Sequence, residues 1–200
     1  MGTVRMFSAV ASLVAATAAG VQATPLNLVQ DYPDITVVSN TVGYNAGTQQ
    51  FTATGRPVTY STPAVYNITD TTITSYSLSA IIDNSGSASS GTLSIEGKIG
   101  APINAASGTL LTGTLAAFGN GNSANGDPFE FIFTVTGGDL ASAMGPQVGV
   151  ILSAKSTNYI DWSYDFTGGS GATNDTFRVP EPATLAFLLA GMAAFLHKRR

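Results

Sequence analysis

Short runs of alternating or β-branched residues recur through the middle of this chain, and turn formers separate them at close intervals. Successive side chains on a strand point to opposite faces, so alternation lets one face be buried while the other meets water. In Phe129-Glu130-Phe131-Ile132-Phe133 the three phenylalanines share one face. In Asp161-Trp162-Ser163-Tyr164-Asp165-Phe166 the aromatic rings share one face, and the acids and serine share the other. The pattern predicts strands over residues 35–41, 49–54, 71–82, 91–99, 108–116, 129–136, 147–154 and 159–167. The separators are Asp83-Asn84-Ser85-Gly86 and the glycine-rich runs 119–127 and 168–174. Residues 139–144, set between Gly138 and Gly145-Pro146, have room for one helical turn. So many short strands in one domain predict an all-β fold, a two-sheet β-sandwich or jelly roll. The similar openings Ser90-Gly91-Thr92-Leu93 and Ser107-Gly108-Thr109-Leu110 read as neighbouring antiparallel strands, since two copies are too few for a solenoid.

Composition removes several function classes. The chain has no cysteine, which excludes thiol catalysis and thiolate metal sites and leaves the fold to be held by its core. Its one histidine is His197, close to the C-terminus, so the middle segment has no histidine for Ser-His or Cys-His chemistry or for metal ligation. Between residues 24 and 178, eleven acidic side chains against four basic ones leave a formal charge of −7. Nucleic acid needs a basic footprint, so no nucleic-acid partner is expected.

The two ends impose a topology. Arg5 followed by an apolar run to Ala19, then Val21-Gln22-Ala23, reads as a signal peptide over 1–23 with cleavage after Ala23. Ala16-Thr17-Ala18 is a second candidate site. At the other end, residues 183–196 carry no charge and span about 21 Å as a helix, shorter than the roughly 30 Å hydrocarbon core. Pro180 and Pro182 stop that helix from extending backwards, and His197, Lys198, Arg199 and Arg200 close the chain. A Lys/Arg cluster favours the cytoplasmic side and can snorkel to lengthen the span. A single membrane helix over 183–196 is expected, with the ectodomain 24–178 outside.

Pro180-Glu181-Pro182, an apolar helix and a basic terminus, in that order, resemble the PEP-CTERM sorting signal of Gram-negative bacteria. The resemblance covers residues 179–200 only. It implies that Pro180, Glu181 and Pro182 are read by an exosortase-type enzyme, and that the chain is held transiently in the inner membrane before reaching the cell surface. It also implies an association with exopolysaccharide. Two prolines keep such a segment extended and accessible, and Glu181 sets one charge outside the membrane.

Within the ectodomain, Glu96, Glu130, Asp161 and Asp165 are candidate carboxylates for glycosidase-like chemistry, although acids on strands usually sit on a solvated face. The run 119–127 carries oxygen ligands suited to calcium but lacks the EF-hand spacing, because Ala124 stands where a ligand is needed. Trp162, with its neighbouring aromatics, offers either a stacking platform for a glycan or a core-facing strand. Asn67-Ile68-Thr69 and Asn174-Asp175-Thr176 match a glycosylation sequon and are given no role. The expected function is therefore an exported structural or adhesive protein of the surface or matrix, not an enzyme, with no cofactor and no metal. A carbohydrate-binding module is the alternative and a glycosidase-like enzyme the third reading.

Overall fold

A computed structural model of the chain describes residues 24–69, 74–100, 106–121, 127–154 and 161–179. Nine strands and one helical turn follow in order: β1 (Asp34–Asn45), β2 (Gln50–Ser61), β3 (Val65–Thr69), β4 (Ser75–Ile82), β5 (Ala88–Ile99), β6 (Ser107–Asn120), β7 (Asp127–Gly137), α1 (Ala141–Met144), β8 (Gln147–Ala154) and β9 (Phe166–Arg178). The all-β expectation holds. All nine strands belong to one antiparallel sheet, where two packed sheets were expected.

The pairings close that sheet. Each of β5, β6, β7, β8 and β9 bonds the strand before it, and β9 and β2 both bond β1. β3 and β4 share one lane. β3 pairs with β2 at Thr59–Ser61 and with β5 at Lys98 and Ile99, and β4 takes the same two neighbours further along. The result is an eight-lane, up-and-down barrel with one interrupted lane. Closure removes the free edges that an open sheet would expose.

Three local differences from the sequence expectation have physical causes. β2 runs past residue 54 to Ser61 despite Pro57, because Pro57 sits at a register shift between Thr36 and Val37 of β1, where no donor is required. The glycine-rich run 168–174 lies inside β9, because β1 pairs with it at Gly168, Ala172 and Asn174 and β8 joins it at Thr173 and Asn174. Residues 161–165 are a turn rather than a strand, held by the Asp161 carboxylate accepting the Ser163 amide at 2.7 Å. The helical turn expected within 139–144 is α1.

The barrel interior is the core, as eight lanes enclose a space that side chains can fill. Phe129, Phe131 and Phe133 of β7 face Val148, Val150 and Leu152 of β8 and are fully buried. Tyr76, Leu78, Ala80 and Ile82 of β4 and Leu93 and Ile95 of β5 close the opposite wall. The outer face is hydroxyl-rich: Thr52, Ser79, Thr92, Thr114 and Thr134 lie side by side across β2, β4, β5, β6 and β7. A lipid-facing barrel needs an apolar exterior, so this distribution is the reverse of a transmembrane one.

Candidate functional site

The loop before β9 plugs one end of the barrel with an aromatic cluster. Trp162 is 2% exposed and meets Tyr44 edge-on at 4.9 Å between ring centroids, with Phe118 at 5.6 Å and Phe129 at 5.9 Å. Phe166 stacks on Phe129 at 5.8 Å and on Tyr44 at 5.4 Å, and the Tyr44 hydroxyl donates to the Ile82 carbonyl at 2.8 Å. Of the three aromatics expected to share a face, Trp162 and Phe166 are core and Tyr164 is 65% exposed. The turn at Ser163 breaks the alternation and separates them. Trp162 therefore has no free ring face for stacking on a glycan.

A second feature lies on the outside of the barrel. Residues 24–33 precede β1 and cross β7, β8 and β9 as an irregular strap. Glu130 projects outward between Phe129 and Phe131, and the strap covers it to 6% exposure. Its Oε2 accepts the amides of Leu26 at 2.5 Å and Asn27 at 2.9 Å, and its Oε1 accepts that of Leu28 at 3.0 Å. Asn27 adopts φ +55°, which turns successive N–H groups toward one anion. The backbone passes so close to β6 that a side chain at Gly119 would strike Thr24 and Leu26. A Cβ at Gly149 would lie 2.9 Å from the ring of Phe177, which is 1% exposed.

The strap ends at a pair of carboxylates that sequence reasoning missed. Asp34 opens β1 opposite Phe177, and Asp175 of β9 stands opposite Thr36, so both point outward as diagonal neighbours. Asp34 is 4% exposed; its Oδ2 accepts the Gln30 amide at 3.1 Å, whereas its buried Oδ1 has no donor. Burial, and then the charge of Asp34, push the Asp175 carboxyl above its ordinary range, partly opposed by a hydrogen bond from Thr36. By contrast Asp83, in the β4–β5 turn, is held below its ordinary range by the Ser85 hydroxyl and the Ser87 amide.

The structure does not bring the four candidate catalytic carboxylates together. Glu96 lies opposite Thr109 on β6 and Glu130 opposite Gly119, ten residues further along, or about 33 Å at a strand's rise. Glu96 accepts the Ser75 hydroxyl at 2.9 Å, and Asp165 accepts the Ala46 amide at 2.7 Å. The calcium-like run 119–127 is described only at its ends. There Asn120 closes β6, 8% exposed and in an inward register opposite Phe129. Among the described residues no three His, Cys, Asp or Glu side chains gather in a metal-binding group. Nor is any helix among them long and apolar enough to cross a membrane. Residues 1–23 with Ala23, Pro180, Glu181 and Pro182, the helix expected over 183–196, and Lys198, Arg199 and Arg200 lie outside the described residues.

Comparison with known proteins found no matching family model, curated protein or solved structure.

Proposed function

We propose that this chain is an exported structural or adhesive protein of the cell surface or extracellular matrix, delivered through its C-terminal segment. The observation that carries this reading is the way the barrel ends. Arg178 donates its amide to Pro33 at 3.1 Å, and Val179 donates to Gln147 at 3.2 Å, so the last described residues are bonded to the rim. Pro180-Glu181-Pro182 follows in sequence with no spacer. A processing enzyme reading that motif would meet it beside a folded body. The aromatic-filled interior and hydroxyl-rich outer face suit a stable displayed module.

Intact-mass measurement of surface and inner-membrane fractions tests the delivery step. Wild-type surface protein should lack the segment from Ala183 onward, and Glu181→Ala or Pro182→Ala should leave full-length chain in the inner membrane. Wild-type surface protein that retains Arg200 would refute processing.

A second reading, a carbohydrate-binding module, rests on the exposed ring of Tyr164, because Trp162 is enclosed. A glycan array separates the two: saturable binding to one sugar, lost in Tyr164→Ala, favours the module.

A further inference from the structure

The outward pair Asp34 and Asp175 has a charge arrangement that the fold alone does not balance. Asp34 is nearly sealed by the end of the strap, yet only one of its oxygens has a donor, from Gln30. A buried carboxylate oxygen with no partner costs on the order of 1–3 kcal/mol or more. Asp175, the diagonal neighbour across β1 and β9, brings a second negative charge to the same face. Buried charges persist in proteins when they are paired with a cation or coordinate one.

We propose that Asp34 and Asp175 form a binding site for a hard divalent cation of the calcium class. Diagonal residues on an antiparallel pair have Cβ atoms somewhat under about 7–8 Å apart, and carboxylates reaching inward from that distance can share one ion. Calcium takes oxygen ligands at about 2.3–2.6 Å, in numbers that side-chain carbonyls and water complete. The unpartnered Oδ1 of Asp34 supplies one ligand and the Asp175 carboxylate another. Gln30 donates from its amide nitrogen to the other oxygen of Asp34, Oδ2, and so leaves Oδ1 to the ion. With only two carboxylates the affinity belongs to the weak class, about 10⁻⁴–10⁻³ M, as in modules that work outside the cell. The choice of calcium rests on the exported reading, whereas binding itself is measured in vitro and stands or falls separately. An ion here ties β1 to β9, the seam that closes the barrel, and pins the strap where it enters β1.

The test is thermal unfolding of the full-length protein in mild detergent, with chelator or with calcium up to about 10 mM at constant ionic strength. The wild type should gain stability saturably, with half-saturation in the range given above. Asp34→Asn and Asp175→Asn should both lose that calcium-dependent gain, and Asp83→Asn, in the β4–β5 turn, should keep it. Asp175→Asn should still unfold at or above the wild-type temperature in chelator, which separates loss of a ligand from damage to the fold. The inference is overturned by no shift in the wild type at the highest calcium, by an equal shift in both Asn variants, or by an equal shift with sodium at matched ionic strength.

Discussion

At Asp175, burial and the neighbouring Asp34 charge act in the same direction, so the folded protein holds a proton there more tightly than the unfolded chain does. The sign follows from linkage: stability falls as pH rises from the ordinary carboxylate range through the raised folded value, and the loss is complete above it. In chelator, Asp175→Asn should therefore melt above wild type at neutral pH, and the gap should close as the Asp175 carboxyl becomes protonated in acid. Thermal melts across pH check this, and a variant less stable than wild type at every pH would contradict it. In the sequence Asp175 is an unremarked acid inside a sequon and Asp34 merely precedes a strand run. Only the β1–β9 pairing makes them neighbours.

The strap is the element whose role is least visible in local sequence. Alternation correctly sets Glu130 on the outward side of β7, but an outward strand acid is ordinarily solvated, and this one is buried under Leu26, Asn27 and Leu28. The amides that bury it lie about a hundred residues away in the chain, with no periodicity of their own. Charge-assisted hydrogen bonds contribute about 1.5–3 kcal/mol each when their loss leaves partners buried, but an undocked strap regains water. Glu130→Ala should therefore cost about 2–3 kcal/mol in total and speed hydrogen exchange at residues 26–28 selectively. Unchanged exchange there would show that the carboxylate does not hold the strap.

At the scale of the whole molecule, stability rests on the aromatic plug and on closure of the barrel. Trp162 touches rings from β1, β6, β7 and β9, so Trp162→Ala opens a cavity shared by several lanes. The expected loss is about 3–5 kcal/mol, read from the denaturant midpoint of far-ultraviolet circular dichroism. A loss below about 1 kcal/mol, within the usual range for surface substitutions, would place Trp162 outside the core.

Most strands were legible because the period of apolar residues is a local property of the backbone. The inward phenylalanines of β7, the bounds of β8, the antiparallel pairing of β5 with β6 and the single turn of α1 all follow from short stretches of sequence. What only the tertiary structure decided depends on residues far apart in the chain. Glycine-rich 168–174 is strand because β1 pairs along it and β8 joins at its end, and Trp162 is core because Asp161 and Ser163 make a turn that points it into the barrel mouth. The same long-range pairing closes one barrel in place of two sheets, since local alternation specifies which face is buried but not which strand lies beside it.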